Sequence, residues 1–280
     1  MKTFKQEIRT IILWMLAILI TLAVGMWMAD LWIEADGSAE KTIASGSCNI
    51  AVVPVVGEIL PYPEASQSEN ENTPQSSTNP DDTLRILREA EENSDIRGVL
   101  VRIDSGGGSP VPSQIIANSL KRSSLPVVAL VREMGTSGAY WIATGAKTII
   151  ASPISDIGSI GVTMSYLDYT KKNTKEGLQY VSLSSAKFKD YGDADKTLTD
   201  PERALYERDL QIIHKQFVKE VAENRKLPVA QVAKLADGSS MPGTLALENK
   251  LIDQLGDQET ARAWFAKELK IPTKEIVFCE

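Results

Sequence analysis

Residues 97–132 read RGVLVRIDSGGGSPVPSQIIANSLKRSSLPVVALVR, and this stretch decides the fold. It contains a Val-rich segment (Arg97–Asp104), a helical pattern (Val111–Ser123) and a second apolar segment (Leu125–Arg132), with turn-forming residues between them. Strands separated by helices of about 10–15 residues are typical of βαβ units, whose strands pair in parallel. We therefore predict an α/β fold with βαβ units and a largely parallel sheet.

The same alternation continues on both sides of this stretch. Upstream, Asn49–Leu60 is an apolar run that predicts a buried strand, and Thr83–Asn93 predicts a helix. Downstream, the pattern predicts in turn a helix, two strands, a helix and a strand: Ser137–Gly145, Thr148–Ser152, Gly161–Ser165, Tyr166–Gly177 and Gln179–Ser184.

The C-terminal portion has only helical patterns. Asp200 is expected to be an N-cap, with Pro201 at the first helical position. Apolar residues then recur at helical spacing, at Tyr206, Leu210, Ile213, Phe217 and Val221. Three more helices are predicted, around Pro228–Ala236, Gly243–Lys250 and Gln258–Leu269.

Residues 61–82 form a polar segment inside the α/β region. They contain only two apolar side chains, Tyr62 and Ala65, among Ser, Asn, Gln, Glu and Pro. Such a composition cannot bury enough surface to order itself. We predict a disordered loop over 61–82.

The N-terminus contains a run of 20 residues without a charge, Thr10–Ala29. As a helix this run spans roughly 30 Å, the thickness of the hydrocarbon core of a bilayer. Lys2, Lys5 and Arg9 precede the run, and by the positive-inside rule they place the N-terminus in the cytoplasm. A cleaved signal peptide is the alternative, but the run is long for one and no small-x-small site closes it.

These patterns predict a five-part chain held in the inner (cytoplasmic) membrane, with its main domain on the periplasmic, extracytoplasmic side. The predicted parts are a cytoplasmic N-terminus (1–9), a transmembrane signal-anchor in contact with the lipid bilayer (10–32), a linker (33–48), an α/β domain (49–271) and a C-terminal tail (272–280).

Composition excludes several classes of protein. The 30 Lys and Arg against 37 Asp and Glu give a net charge of −7, whereas nucleic-acid binders usually present a basic face. Cys48, Cys279 and His214 are the only Cys or His residues, and neither an HExxH nor a paired CxxC motif can be written from them. We expect no metal, no cofactor and no nucleic-acid partner. The two cysteines could form one disulfide, and the single His leaves little room for a His-dependent triad.

The glycine turn Asp104–Ser109 (DSGGGS) directly follows a predicted strand. Consecutive glycines there let backbone N–H groups turn toward a ligand or an oxyanion. The turn is not a dinucleotide fingerprint, because Val111 occupies the third glycine position. Its Asp-Ser-Gly-Gly stretch is similar to that of trypsin-like proteases, which makes Ser105 a candidate nucleophile. That family needs an upstream His, which this chain lacks, so a plain tight turn is the alternative.

Gly135–Tyr140 (GTSGAY) follows the next apolar strand and opens a helix of small residues. A Ser at a strand-to-helix turn is a common position for a nucleophile. The α/β-hydrolase elbow has the pattern Gly-x-Ser-x-Gly, and Ala139 replaces its last glycine, so the match is partial. Ser137 is therefore either a nucleophile or the cap of the helix, and the spacing alone leaves both open.

Two basic residues are rivals for the role of general base. Lys187–Asp190 (KFKD) is an exposed surface feature or holds a lysine whose amine is made neutral by partial burial. His214 lies in the middle of a predicted helix, beside the apolar stripe. We expect His214 to be a structural residue, remote from Ser137.

In this order, the features resemble the bacterial signal peptide peptidases of the A type, in a short single-module form. The resemblance runs from Asn49 to Gly256. The motifs that carry it are Val99–Ser105 with the glycine turn, Gly135–Tyr140, Gly158–Val162 (GSIGV), Lys187–Asp190, and Ala236–Gly238 with Leu251–Gly256.

The resemblance implies a ClpP/crotonase-like fold and a serine protease with a Ser–Lys dyad. By position, Ser137 matches the nucleophile and Lys189 the general base, with Lys187 a second candidate. Ser159 matches a serine that orients the lysine.

The resemblance also implies an oxyanion hole formed by Gly107, Gly108 and Gly138. The family's Ser-Pro-Gly-Gly reads Ser-Gly-Gly-Gly at Ser105–Gly108 here, so the assignment of the donors stays open.

The implied function is a membrane-anchored serine endopeptidase that cleaves apolar peptides such as remnant signal peptides. Single-module forms are similar to subunits of a homo-oligomeric ring, in which neighbours complete each other's active sites. The alternatives are a membrane-anchored assembly or scaffold protein with a vestigial site, and another hydrolase on a crotonase-like fold.

Overall fold

A computed structural model describes residues 14–15, 21, 48–63 and 77–279 of the chain. The predicted transmembrane anchor at 10–32 lies outside these residues except for three positions, as does the predicted linker except for Cys48. Among the residues that are described, no helix is long and apolar enough to cross a membrane.

The described residues form an α/β structure. Its strands are β1 (Ile50–Ile59), β2 (Ser77–Thr78), β3 (Gly98–Gly108), β4 (Val127–Thr136), β5 (Thr148–Ala151), β6 (Asp156–Gly158), β7 (Ser240–Pro242), β8 (Gln254–Leu255) and β9 (Phe278–Cys279). Its helices are α1 (Pro80–Glu92), α2 (Pro110–Arg122), α3 (Gly138–Thr144), α4 (Thr170–Lys175), α5 (Asp200–Arg225), α6 (Val229–Leu235), α7 (Gly243–Glu248) and α8 (Gln258–Leu269). A 3₁₀ turn spans Thr273–Glu275.

The strands form one sheet with the order β2-β1-β3-β4-β5-β8. Every pair is parallel except β6–β7; β6 continues the sheet beside the end of β4, and β9 pairs with the start of β1. The strands β1, β3 and β4, with α1 and α2 between them, confirm the predicted α/β class.

Both faces of the sheet are buried, which explains why its strands are apolar throughout. On β3, Val99, Val101 and Ile103 pack with α1, α2, α3 and α5, whereas Leu100 points to the other face. On that face, Phe265 of α8 closes a second apolar layer.

The predicted disordered loop at 61–82 differs from the structure at its C-terminal end. Residues 77–78 form β2, which pairs with the end of β1, and α1 begins at Pro80 with Asn79 as its N-cap. Thr78 is buried and exchanges two hydrogen bonds with the backbone of Val56. Backbone pairing therefore orders these polar residues; residues 64–76 lie outside the described part.

The prediction of a separate tail at 272–280 is wrong. Cys279 forms a disulfide with Cys48, with Cα atoms 5.2 Å apart, across a sequence separation of 231 residues. Phe278 pairs with Ile50 in the sheet, so the C-terminus belongs to the domain.

The strands predicted at Gly161–Ser165 and Gln179–Ser184 do not form in the described part of the chain, and only the short α4 forms between these two segments. The apolar side chains that suggested strands are exposed; Leu183, for example, is 96% exposed. No neighbouring strand of the described sheet pairs with these segments, so their alternating pattern has no partner within the described chain.

α5 begins one residue from the predicted position. Thr199, not Asp200, is the N-cap, and its N–H donates to Glu202 Oε2 at 2.9 Å. Pro201 follows in the first turn, where its missing N–H leaves no bond unmade.

Candidate active site

The turn between β4 and α3 holds Ser137 in an unusual backbone conformation. Its φ is +52°, in the left-handed region that favours glycine. Its N–H donates to the carbonyl of Gly158 (2.7 Å), and its carbonyl accepts from the N–H of Trp141 (3.0 Å). Its side chain makes no capping hydrogen bond to α3. The helix-cap interpretation therefore fails, and the position resembles a nucleophile turn.

The glycine turn at the end of β3 lies directly against Ser137. A Cβ atom on Gly107 would sit 2.8 Å from Ser137 Cβ and 2.7 Å from the amide nitrogen of Gly138. A Cβ atom on Gly108 would sit 2.3 Å from the carbonyl oxygen of Ile59. Both glycines also have positive φ, +103° and +154°. A side chain at Gly107 would push the turn away from Ser137, and one at Gly108 would push it away from β1, so either would change the position of the turn relative to its neighbours.

The glycines predicted for the oxyanion hole are not equivalent. The Gly107 N–H donates to Ser105 Oγ (3.1 Å), so it is already engaged. The amide nitrogen of Gly108 lies 3.3 Å from the position of a Cβ on Gly138, so these two residues stand together beside Ser137. Gly108 and Gly138 are thus better placed than Gly107 to donate to an oxyanion, and the full assignment stays a prediction.

Ser105 has a structural environment. It is 1% exposed, and its hydroxyl donates to the carbonyl of Gly57 (2.6 Å) while accepting from Gly107. Its role is to hold the glycine turn against β1, which removes it as a candidate nucleophile.

A cavity of about 560 Å³ opens beside Ser137 and is also lined by Ser159. Ser159 has a φ of +50°, and its hydroxyl donates to the carbonyl of Gly238 (3.0 Å). Asp237, in the same wall, accepts hydrogen bonds from the hydroxyl and N–H of Ser239, which hold the pKa of Asp237 below its usual range. The cavity therefore holds an ionised carboxylate at neutral pH.

Lys189 is not among the residues that line this cavity in the described chain. It is exposed, and its backbone N–H closes a turn with the carbonyl of Ala186 (3.1 Å). Lys187 is also exposed, and its Nζ lies 4.9 Å from the centre of the Phe188 ring. The structure thus brings together Ser137, the glycine turn and Ser159, but not the lysine predicted as the base.

His214 does line the cavity, contrary to the expectation that it lies far from Ser137. Its Nε2 lies 3.0 Å from the carbonyl oxygen of Ala236. The helical spacing contained this information: His214 is four residues after Leu210 and three before Phe217, and both of these also line the cavity. The apolar stripe of α5 therefore faces the cavity along part of its length, as well as the core.

An aromatic pair forms the apolar wall of the cavity. Trp141 and Phe217 stack with ring centroids 4.4 Å apart and an interplanar angle of 6°. The indole Nε1 of Trp141 donates to Glu220 Oε2 (2.7 Å), and the other carboxylate oxygen accepts from Gln216 (2.7 Å). Glu220 therefore fixes the ring plane of the wall. The sequence analysis did not identify Glu220, because Trp141 lies 79 positions away along the chain.

Comparison with known proteins shows the family of this chain. The model of peptidase family S49 matches residues 119–272, more than half of the chain. The chain belongs to this family. A candidate protease of Methanocaldococcus jannaschii is 29% identical over 94% of this chain and 84% of its own length. A candidate signal peptide peptidase SppA of Enterococcus faecium is 28% identical over 85% of this chain and 69% of its own length.

Protease 4 of Haemophilus influenzae is 31% identical over 74% of this chain but only 32% of its own length, so this chain spans about a third of it. These matches confirm the SppA-like resemblance and support a serine peptidase of family S49. Among solved structures, the chain is similar to a ClpP1 variant of Listeria monocytogenes (TM-score 0.49, 13% identity, 74% of this chain and 91% of that chain). The α/β class follows from the sheet itself, and the finer ClpP/crotonase-like fold stays a prediction.

Proposed function

We propose that this chain is a membrane-anchored serine endopeptidase in which Ser137 is the nucleophile and Lys189 the general base. One observation carries the proposal: in a chain of family S49, Ser137 stands at a strained strand-to-helix turn, beside the Gly108 and Gly138 amides, at an open cavity. Strained backbone at such a turn is a common feature of catalytic sites.

The reaction is acyl transfer through a covalent acyl-enzyme. The neutral amine of Lys189 takes the proton of the Ser137 hydroxyl as its oxygen bonds to the scissile carbonyl carbon. The carbonyl oxygen becomes an oxyanion, which the amides of Gly108 and Gly138 stabilise. Lys189 then gives the proton to the leaving amine as the C–N bond breaks, and water releases the acyl group by the reverse sequence. Ser159 orients the lysine.

We propose that Lys189 reaches Ser137 of a neighbouring copy within a homo-oligomeric ring. Two features support this. Lys189 is exposed and away from the cavity of its own chain. The segment 161–184 before it exposes several apolar side chains, Met164, Leu167, Leu178, Val181 and Leu183, and an exposed apolar patch of this kind is typical of an interface.

The proposed location is the inner membrane, with residues 10–32 as the anchor and the peptidase domain on the extracytoplasmic side. The Cys48–Cys279 disulfide supports this, because such bridges persist in oxidising compartments. Reporter fusions after residue 40 should be active only outside the cytoplasm, and the protein should stay with membranes after an alkaline wash. A soluble form that lacks the first ~35 residues would mean a cleaved signal peptide instead.

The proposed substrates are extended apolar peptides, such as signal peptides left in the membrane after export. Apolar residues in the cavity lining beside Ser137, among them Val162, Leu210 and the edges of the buried Trp141–Phe217 pair, support this.

A second base deserves a direct test, because His214 shares the cavity with Ser137. In this alternative the site is a His-based hydrolase and Lys189 is a surface residue. Because a carbonyl oxygen only accepts hydrogen bonds, the contact between Nε2 and the Ala236 carbonyl places the proton on Nε2 and leaves Nδ1 as the nitrogen that would accept the Ser137 proton.

Cleavage of an apolar peptide by four single variants separates these assignments. Ser137→Ala and Lys189→Ala should each abolish cleavage without a change in melting temperature, whereas Lys187→Ala and His214→Ala should keep most of it. Wild-type activity should climb from about pH 7 toward 9, as expected of a lysine base. An inactive His214→Ala beside an active Lys189→Ala would establish the His-based alternative.

Mixing inactive variants tests whether neighbours share the site. Ser137→Ala and Lys189→Ala should regain part of the activity when they are unfolded, mixed and refolded together, because some sites then combine an intact serine with an intact lysine. Each variant refolded alone is the control. No recovery from a mixture that forms rings would place both residues in one subunit.

A further inference from the structure

An ion-pair cluster ties the segment that carries Lys189 to the start of α5. Lys196 Nζ lies 2.6 Å from Glu202 Oε1 and 3.1 Å from Asp190 Oδ1. The exposed fractions of the three side chains are only 22%, 5% and 18%, in the order Lys196, Glu202, Asp190. Asp190 directly follows Lys189, so this contact fixes the backbone next to the proposed base.

Both carboxylates of the cluster have further partners. Asp190 Oδ2 accepts from the Ser182 hydroxyl, and Tyr180 donates to Asp193 (3.2 Å) as well as, more weakly, to Asp190. These bonds tie residues 180–182 to the turn after Lys189.

On the helix side, Glu202 Oε2 accepts from both the N–H and the hydroxyl of Thr199, each at 2.9 Å. Tyr206, one turn along α5, has a pKa raised mainly by burial, and the charge of Glu202 is a smaller cause of the same shift. Lys196 is thus the cation that joins the two carboxylates of two separate segments.

Lys196 cannot itself be the base. The hydrogen bond that Lys196 donates to Glu202, and with it the one donated to Asp190, raises the pKa of Lys196 above its usual range. Its ammonium therefore stays charged at the pH at which a lysine base must be neutral. A lysine that stays charged between two carboxylates can hold them in position, but it cannot accept the proton of a serine.

We propose that Lys196 is a positioning residue for the peptidase reaction: it holds Asp190, and with it the turn that presents Lys189, against the first turn of α5. The inference rests on the proposed function, because it takes Lys189 as the base. Lys196 also balances the negative charge of Asp190, the residue that follows the base in the chain. Loss of Lys196 thus changes both the position and the electrostatic surroundings of the Lys189 amine.

The test compares three variants of the full chain in peptide cleavage. Lys196→Met keeps the length of the side chain but removes its charge, Lys196→Arg keeps the charge, and Lys267→Met, at an exposed position on α8, is the matched control. Lys196→Met should lower kcat by roughly tenfold to a hundredfold, the range expected when a catalytic group is misplaced by about 1 Å. KM should change less than about twofold, because Lys196 does not line the cavity. Lys196→Arg should recover most of kcat, and Lys267→Met should match the wild type.

The pH profile distinguishes positioning from a general loss of structure. In Lys196→Met the unpaired Asp190 carboxylate favours the charged form of the neighbouring amine, so the alkaline rise in activity should move to higher pH. In Lys196→Arg the rise should stay at the wild-type pH. If Lys196→Met proves poorly folded, the double variant Lys196→Met/Glu202→Gln removes the unpaired buried carboxylate and should fold while showing the same fall in kcat and the same shift.

Three results would overturn the inference. A folded Lys196→Met with wild-type kcat and pH profile, beside an inactive Lys189→Ala, refutes the role of Lys196 and leaves the proposed function standing. A loss of kcat that follows the loss of folded protein, with no shift of the pH profile, makes Lys196 merely structural. An active Lys189→Ala refutes the proposed function and this inference with it.

Discussion

Replacing both cysteines of the Cys48–Cys279 bridge by serine removes the covalent link between the start of β1 and the end of β9. The link closes a loop of 231 residues, and the chain-entropy relation for so long a loop gives about 5 kcal/mol of stabilisation. Native disulfides more often contribute about 2–4 kcal/mol, because the unfolded chain retains structure. The expected loss is therefore about 3 kcal/mol, which for a domain of this size lowers the melting temperature by roughly 6–12 °C.

The double variant should nevertheless fold, because other contacts hold the same junction. The Asn49 side chain donates to the carbonyl of Glu275 (2.7 Å) and accepts from the N–H of Val277 (3.0 Å). Phe278 packs on Phe265 of α8. These contacts keep β9 in place once the covalent link is gone, so activity in a short assay should persist.

The assay is thermal unfolding followed by circular dichroism, for the wild type with and without a reductant and for Cys48→Ser/Cys279→Ser. Reduced wild type and the double variant should unfold at similar, lowered temperatures. An unchanged melting temperature, together with two thiols that react in the purified native protein, would refute the bridge and remove the main structural support for an oxidising compartment.

Three further predictions follow from other parts of the structure. Gly108→Ala should destabilise the domain by about 1–3 kcal/mol, because the new Cβ would lie 2.3 Å from the carbonyl oxygen of Ile59. The same variant should lower kcat roughly a hundredfold, because it displaces an oxyanion donor. Gly177→Ala, at a glycine with positive φ but open space around it, is the control, and equal effects of the two variants on urea unfolding and on kinetics would refute the role of the turn. The pKa of Glu202 is lowered mainly by Lys196, so the contribution of Glu202 to stability is complete above the ordinary pKa of a glutamate and is lost as the pH falls through the lowered value. The free energy of unfolding should therefore decline less steeply toward acid pH in Glu202→Gln than in the wild type. An identical decline in the two proteins would contradict this. Deleting residues 66–74, which contain no apolar side chain, should leave the melting temperature within a few degrees, because loop length changes closure entropy slowly, and a large drop would show that the segment contributes to the core.

The sheet could be predicted from the sequence because its signals are local. The apolar run Asn49–Leu60 and the segment Arg97–Asp104 became β1 and β3 with small changes at their ends. A strand buried on both faces must be apolar at every position, and such a run stands out without knowledge of its partners. For the same reason, the turn at Ser137 could be located from the junction of a strand and a helix.

The irregular, exposed structure of segment 161–184 could not be predicted, because a strand needs a neighbouring strand to pair with as well as an alternating pattern. Gln179–Ser184 alternates like a strand, yet Val181 and Leu183 are exposed in this chain. Residues 77–82 are the opposite case, because they are ordered although their polar side chains predict disorder. Thr78 is held by two hydrogen bonds with the backbone of Val56. In both cases, the presence or absence of a pairing partner that is distant along the chain determines whether the segment forms a strand.

The candidate site was found in part. Short motifs identified Ser137, Ser159 and the glycine turn, because backbone geometry around a nucleophile needs particular small residues in sequence. The position of His214 was misjudged, since a helical stripe can face a cavity as well as a core, and the spacing is the same in both cases. Glu220 accepts hydrogen bonds from Trp141 and Gln114, which lie 79 and 106 positions away along the chain, and no local pattern indicates such a contact.

The central claim is that Ser137 is a nucleophile activated by Lys189, and covalent labelling by a fluorophosphonate probe tests it most directly. The rate of labelling and the modified residue can be measured together, by mass spectrometry of the digested protein, for the wild type, Lys189→Ala and His214→Ala. The account predicts a label on Ser137 in the wild type and in His214→Ala at comparable rates, and none in Lys189→Ala. A label on any other residue, or a Lys189→Ala variant that labels at the wild-type rate while His214→Ala does not, would contradict it.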